Sequence, residues 1–248
     1  MFIINHFFIH HSLWEWLKLL VVPAVIAGGG IWFNRQQRER ELKIAERRAQ
    51  DETLQAYLDG MAELLTDKEQ PLHDAQPGDS LRTVARARTL TVLGRLDGGR
   101  KRSVVQFLYE SGLIYKEQAL LSGPNLIERR RNIVNLQQAD LSEADLFGTY
   151  LRGIYLSGTN LSWAILRIAY LDTADLSRTD LTGAVLSGAL LRDASLEGVI
   201  LAGADLSETD LSGTNLSNAN LTRADLSGAL NWTQDQLSFA RSVAEKSP

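Results

Sequence analysis

Between Leu136 and Leu226 every fifth residue is leucine, nineteen in succession without an exception. Two places before each leucine the chain carries alanine in most units and Val134, Thr149, Ile154, Thr159, Thr179, Val199, Thr209 or Thr214 in the others, so the unit reads A-D/N-L-x-x. Five residues along an α-helix turn through about 500°, which steps successive leucines roughly 140° around the axis and builds no single apolar face. Five along a flat strand is an odd number and sends alternate leucines to opposite faces. Neither element buries them all. The pattern predicts a solenoid whose chain turns a corner once per unit, so that each leucine points inward and stacks on one from the next coil.

Upstream the spacing changes. Leu13 to Phe33 reads LWEWLKLLVVPAVIAGGGIWF, close to the ~20 apolar residues with which a helix crosses ~30 Å of hydrocarbon. Only Glu15 and Lys18 interrupt it, both in the first turns where long side chains reach headgroups, and Trp14, Trp16 and Trp32 stand at interfacial positions. Pro23 and the run Gly28 to Gly30 weaken a soluble helix and are tolerated in a membrane. A cleaved signal peptide is one rival reading, against which stand a single lysine before the apolar core and the want of a clear small-x-small cleavage site. A buried soluble helix is the other. Arg35, Arg38, Arg40, Lys43, Arg47 and Arg48 follow the span, against Lys18 before it. This bias orients a single-pass anchor, residues 1–33 with the span at about 13–33, so that the bulk of the chain is cytoplasmic.

Residues 34–70 predict a charged juxtamembrane helix, because opposite charges recur three or four places apart: Arg35 with Glu39, Arg38 with Glu41, Arg47 with Asp51, Arg48 with Glu52. Each pair contributes only ~0.2–0.5 kcal/mol. The stripe Leu54, Tyr57, Leu58, Met61, Leu64 and Leu65 wants a partner surface and suits a homodimer. Residues 71–131 read as a helical hairpin and N-terminal cap. Pro71 to Asp79 is a loop, and Asp79 or Ser80 caps a helix with Leu81, Val84, Ala85, Leu93 and Leu96 that Asp97-Gly98-Gly99 ends. A second short helix holds Val104, Val105, Phe107 and Leu108. Such a cover is needed because the end of a solenoid exposes core and unpaired strand edges. At the other end, in residues 232–248, Thr233-x-x-Gln236 forms a capping box for a short helix with Leu237 and Phe239 as the lid.

The units Ala139 to Ser142, Ala174 to Ser177, Ala204 to Ser207 and Ala224 to Ser227 all read A-D-L-S and resemble the motif of the pentapeptide-repeat family. The resemblance implies a right-handed, four-sided β-helix over residues 132–231 with four pentads per coil, about five coils, the leucine and the residue two before it facing in. At ~4.8 Å per strand such a rod is ~24 Å long. The expected fold class is mixed: a right-handed quadrilateral β-helix preceded by a transmembrane helix and a helical region. The stretch RARTLTVLGRLDGGRKRSVVQFLYESGLI, Arg86 to Ile114, is similar to the N-terminal region of membrane-associated bacterial pentapeptide-repeat proteins. That likeness implies an architecture and no activity.

Charge and composition narrow the chemistry. Residues 132–231 carry 12 acidic and 5 basic residues, a local charge of −7, while 34–131 carry 18 basic and 15 acidic. No large positive footprint results, and direct nucleic-acid binding is not expected. Arg82, Arg86, Arg88 and Arg95 lack interleaved aromatics and read as a solvated helix face. The absence of cysteine excludes disulfides, thiolate metal sites and a cysteine nucleophile. His6, His10 and His11 have no acidic or cysteine partner nearby and read as interfacial side chains rather than metal ligands. Asp140, Asp145, Asp175, Asp180, Asp205, Asp210 and Asp225 all fall just before the leucine, and nothing sets one pair apart as a glycosidase-like couple. No catalytic, cofactor or metal residues are therefore expected.

Departures from the motif are more informative. If residues twenty apart stack, Tyr150, Tyr170 and Leu190 form one outward column where aspartate or asparagine is the norm, and Ile165 with Val185 forms another on the adjacent side. Phe147, Trp163 and Ile168 lie close by. A contiguous apolar patch of this kind marks an interface, either with an unknown protein partner or with the chain's own hairpin or stalk. Arg152, Asp172 and Arg192 alternate at one repeat position and read as a ladder of surface pairs, each worth little. The function expected is a non-enzymatic, membrane-tethered scaffold presenting the solenoid on the cytoplasmic side. The alternative is a DNA-mimic inhibitor of a type II topoisomerase, a role that some pentapeptide-repeat proteins have and with which the −7 repeat is compatible. Against it stand the anchor, the modest charge and the short rod.

Overall fold

The structure, a computed structural model, describes residues 13–116, 130–233, 236 and 242–243, with backbone alone for 13–26, 28, 115–116, 130–132 and 242–243. The chain divides into two compact units, 1–49 and 50–248. Helix α1 (Leu13–Thr66) runs without a break through the expected boundary at residue 33. In the first unit Ile31, Trp32, Phe33, Leu42 and Ile44 are exposed. Among the described residues no helix is long and apolar enough to cross a membrane. The expected span falls mostly on 13–26, whose side chains lie outside the described residues, as do His6, His10 and His11 altogether.

In the second unit the last turns of α1 pack with α2 (Ser80–Leu93) and α3 (Gly98–Glu110). Tyr57 and Met61 are buried, the Tyr57 ring meets Phe107 edge-on at 6.4 Å, and its hydroxyl lies 2.9 Å from Thr89 Oγ1. Burial pushes the Tyr57 phenol up to about 12, and the Thr89 hydrogen bond offsets this only in part. The stripe on α1 that suited a second copy is thus met by the chain's own hairpin, with Leu54, Leu58, Leu64 and Leu65 half-buried against the same core. Asp51 is held by Arg100 at 2.7 Å. The hairpin's boundary also differs from the expectation. Asp97 does not end α2, which stops at Leu93, but caps α3 by accepting from the Arg100 amide at 2.9 Å, so Gly98 and Gly99 form the first turn of α3. Asp79 stands at the N-cap of α2, yet its carboxylate turns to the Gln76 amide in the preceding loop.

From Val134 onward the chain coils with a period of twenty. Parallel bridges join Asp140 to Asn160, Asp145 to Ile165, Tyr150 to Tyr170 and Tyr155 to Asp175, and each series continues up the rod, which gives four sides. The corners come from the two residues after each leucine. The second of them takes a left-handed φ, 58° at Glu143 and 61° at Trp163, and the next amide donates back to the leucine carbonyl, as Ala139 does to Leu136 at 2.8 Å. The repeat leucines at every fifth position from Leu136 to Leu221 are all buried. Inward threonines are satisfied as well, because Thr149, Thr159, Thr209 and Thr214 donate their hydroxyls to the leucine carbonyl three residues back. The aspartate before the leucine has its own local task. Asp140, Asp175, Asp180, Asp205, Asp210 and Asp225 each accept the amide two residues on, which clamps the corner.

Both ends of the rod are closed by hydrogen bonds that imitate a further coil. Within the rod, Ser162 and Asp172 carbonyls accept amides of the coil before. At the N-terminal end no coil precedes, and side chains of the hairpin substitute: Arg86 donates to the carbonyls of Asn135 (3.0 Å) and Gln137 (2.9 Å), Lys101 to that of Ser142 (2.9 Å), and the Tyr109 hydroxyl to that of Arg152 (3.0 Å). Strand β1 (Ile114–Lys116), paired antiparallel with β2 (Arg130–Asn132), places the Ile114 carbonyl where it accepts from Tyr155 at 2.9 Å. The arginines read as a solvated face are therefore engaged: besides Arg86, Arg82 donates to the Ala75 carbonyl and Arg88 to that of Gly60, both at 2.9 Å. Only at Arg95 does no such bond replace that reading among the described residues.

The approach of α3 to the rod requires Gly98. Its carbonyl accepts from the Asp145 amide at 3.0 Å, and a Cβ on it would lie 2.1 Å from the Glu143 carbonyl oxygen. Gly98→Ala is expected to destabilise the protein by about 2 kcal/mol through this overlap. Gly99→Ala, whose Cβ would meet only the Asp97 carboxylate at 3.7 Å, is expected to stay within about 0.5 kcal/mol. Thermal unfolding of the two variants checks this; equal melting temperatures would mean that α3 does not sit against the first coil.

At the C-terminal end the capping box forms: the Thr233 amide donates to Gln236 Oε1 at 2.6 Å and the Gln236 amide to Thr233 Oγ1 at 3.3 Å. Gln236 Nε2 then donates to the Thr214 carbonyl at 2.9 Å, a bond that a further coil would have made through its backbone. Strand β3 (Asn220–Leu221) pairs in parallel with β4 (Ser242–Val243) and so is not left as an open edge. Leu237 and Phe239, the expected lid, lie outside the described residues.

Candidate interaction face

The outward columns stack at intervals of twenty residues, as the family resemblance implies. Tyr150, Tyr170 and Leu190 follow one another on one side, then Asp210 and Leu230; Ile165 and Val185 follow one another on the adjacent side, with Asp145 before them and Asp205 after. The Tyr150 and Tyr170 rings stack at 4.3 Å and 13°. Their hydroxyls adjoin, and the Tyr150 hydroxyl raises the Tyr170 phenol above its ordinary value. Phe147 and Ile168 occupy the corner between these two sides, and Trp163 the corner beyond Ile165.

Tyr150 and Trp163 are each 64 % exposed, and Phe147, Ile165 and Ile168 are exposed too; Tyr170, Val185 and Leu190 are half-buried by their neighbours in the columns. All eight predicted residues thus fall on two adjoining sides in the first three coils. The hairpin, one of the two expected covers, caps the end of the rod instead. The backbone adds a second signal. The corner residue in the left-handed region of this column is glycine at Gly148, Gly188 and Gly228, but Ile168 at φ 57° and Glu208 at φ 58° between them. A β-branched residue there costs about 1–2 kcal/mol relative to glycine. Trp163 departs in the same way, and its indole covers Gly183 of the next coil so closely that a Cβ on that glycine would lie 2.7 Å from the ring. Strained apolar side chains facing solvent point to a surface with a use.

Polar groups at the edge of this face are engaged locally. Arg192, expected to form a ladder with Asp172 and Arg152, meets Asp210 at 2.6 Å and also feels the charge of Asp172, whose Oδ1 is buried with no hydrogen-bond partner among the described residues. The Ser212 hydroxyl holds the Asp210 carboxyl well below its ordinary value, against the effect of burial, with further help from Arg192, Asn231 and the Ser212 amide. Because the folded value is the depressed one, this stabilisation is full above the unfolded value of 3.8 and is lost as pH falls through the folded value. Asp210→Asn is expected to lower stability at neutral pH by about 1.5–3 kcal/mol, and by less as the pH approaches 2; melting curves against pH read the difference. Parallel acid limbs in the two proteins would contradict it.

Sequence reasoning missed the capping donors Arg86, Lys101 and Tyr109, which no local signal marks, since their acceptors are backbone carbonyls 41 to 51 residues away. It also passed over Ile200 and Leu230, exposed apolar residues at the aspartate position, which the same rule of departure from the motif would have found.

Residues 134–171, 169–207 and 200–229 match the family model described as pentapeptide repeats, in 8 copies. The match does not reach Arg86 to Ile114, so the membrane-associated subtype rests on sequence resemblance alone. Among solved structures, a pentapeptide repeat protein of the cyanobacterium Cyanothece 51142 is 33% identical, with 48% of this chain and 74% of that chain covered and a TM-score of 0.32. A pentapeptide repeat protein of the Arabidopsis thaliana thylakoid lumen is 30% identical, with 42% and 72% covered and a TM-score of 0.32. QnrB1, a plasmid-mediated fluoroquinolone resistance protein, is 25% identical, with 36% and 58% covered and a TM-score of 0.24. No curated protein matches the chain.

Proposed function

We propose, from the premise that the chain belongs to the pentapeptide-repeat family through residues 134–229, that it is a non-enzymatic interaction module held at a membrane by its N-terminal helix. Membership gives the β-helix its right-handed sense. The observation that carries the reading is the solvent-facing apolar surface built by Tyr150, Tyr170, Trp163, Ile165 and Ile168, whose partner is a protein. The carboxylates support a non-enzymatic role, because those of the repeat are engaged one by one in their own corners. Support for the tether comes from the apolar run Leu13 to Phe33 and the exposed Ile31, Trp32 and Phe33, and the basic residues that follow favour a solenoid on the cytoplasmic side.

A DNA mimic would need a continuous acidic side. Every outward column is interrupted: by Ile200 after Asp180, by Ile165 and Val185 between Asp145 and Asp205, by Tyr155 and Ser195 about Asp175, and by Tyr150, Tyr170 and Leu190 before Asp210. This favours the interaction module over topoisomerase inhibition. Fractionation tests the tether. The full chain is expected in the membrane pellet, resisting high salt and alkaline wash and released by detergent, and deletion of residues 1–33 is expected to free it. A full chain found in the supernatant would remove the membrane from the account.

A further inference from the structure

The apolar residues occupy two adjoining sides of a four-sided rod, and a flat or convex neighbour lies against only one side at a time. Resting on the reading of this surface as an interface, we infer that the side bearing Ile165 and Val185 pairs with a second copy of this chain, antiparallel, while the Tyr150, Tyr170 and Leu190 side serves a different partner. This side is complementary to itself. Trp163 and Ile168 project from the two corners that bound this side; the Trp163 indole lies over Gly183 of its own chain, while Ile168 stands one coil before Gly188, which lines an open recess. A two-fold axis between the second and third coils sets Ile165 of one copy opposite Val185 of the other, and Ile168 opposite Gly188.

A hollow exists at that place. A recess of about 380 Å³ is lined by Ile168, Val185, Gly188, Asp205 and Glu208, with Arg167 at one edge. In the same register Arg167 of one copy stands opposite Ser187 of the other, one rung, about 4.8 Å, from the level of Asp205 and Glu208. Among the described residues neither Arg167 nor Glu208 has an ion-pair partner, and the Asp205 carboxylate accepts only from Ser207. Two Arg-to-carboxylate pairs thus flank an apolar centre, the arrangement of an isologous interface. One contact is unfavourable: Asp145 falls opposite Asp205.

Sedimentation equilibrium of the full chain in detergent tests the inference. A reversible dimer is expected. Ile168→Asp, which places a residue tolerant of the left-handed region at a strained corner, is expected to weaken it at least tenfold, and so is Arg167→Glu. Arg167→Glu combined with Glu208→Arg is expected to restore it, and Asp145→Asn to tighten it severalfold. Tyr150→Asp with Tyr170→Asp is expected to leave it unchanged. A monomer at every concentration overturns the inference, as does a dimer indifferent to Ile168→Asp or not rescued by the charge exchange. The interaction-module reading fails separately, if Tyr150→Asp with Tyr170→Asp leaves partner binding unchanged.

Discussion

Leu181→Asp is expected to abolish the folded solenoid. Leu181 lies in the third coil, fully buried, and the rod has no alternative place for its side chain, because each coil contacts only its neighbours above and below. Losing its burial costs about 1.5–3 kcal/mol, and an unpaired carboxylate in that column adds several kcal/mol more. Their sum approaches the whole stability of an ordinary domain, about 5–15 kcal/mol. The variant should lose its cooperative thermal transition and its β-sheet circular dichroism. Ala202→Asp, one residue past the next leucine in the same column and partly exposed, should change stability by no more than about 0.5 kcal/mol. A Leu181→Asp protein melting like the wild type would mean that the leucines do not face inward.

Tyr150→Asp together with Tyr170→Asp is expected to have the largest effect on binding. The two rings stack and stand out from the rod, so replacing them removes apolar contact area and sets two carboxylates in its place. Aromatic anchors in interfaces are commonly worth 2 kcal/mol or more each, and a loss of about 2 kcal/mol alone weakens affinity roughly 30-fold. The solenoid itself should be little affected, since neither hydroxyl enters the core and only the stacking, about 0.5–1.5 kcal/mol, is lost. Binding and melting are therefore measured on the same preparation. An unchanged partner affinity would move the interface elsewhere.

How much of this was legible in the sequence follows from the range over which each signal acts. The leucine period is a local rule repeated nineteen times, so it specified the inward residues, while the twenty-residue coil, and with it the column in which Tyr150 meets Tyr170, came from the resemblance to the pentapeptide-repeat family. The capping box at Thr233 and Gln236 was legible for the same reason, as a contact three residues long. The closure of the N-terminal end was not. Arg86 and Lys101 looked like solvated charges because what they satisfy are orphan carbonyls of a coil far along the chain, which exist only once the rod has formed. Asp97 shows a different failure: next to two glycines it reads as a helix end, and the close approach of Gly98 to Glu143, invisible in the sequence, makes it a beginning. The interaction face was visible only as a set of exceptions, and the strain at Ile168 that strengthens the case needed backbone angles.

The central claim is that one surface of the rod, and not the rod as a whole, contacts a protein. Photo-crosslinking from single positions in cells tests it most directly, with the reactive side chain placed at Tyr170 on the apolar surface or at Asn215 on another side. The account predicts a discrete adduct from position 170, lost when Tyr150 is also changed to aspartate, and none from position 215. Adducts of equal yield from both positions, or none from position 170, would contradict it.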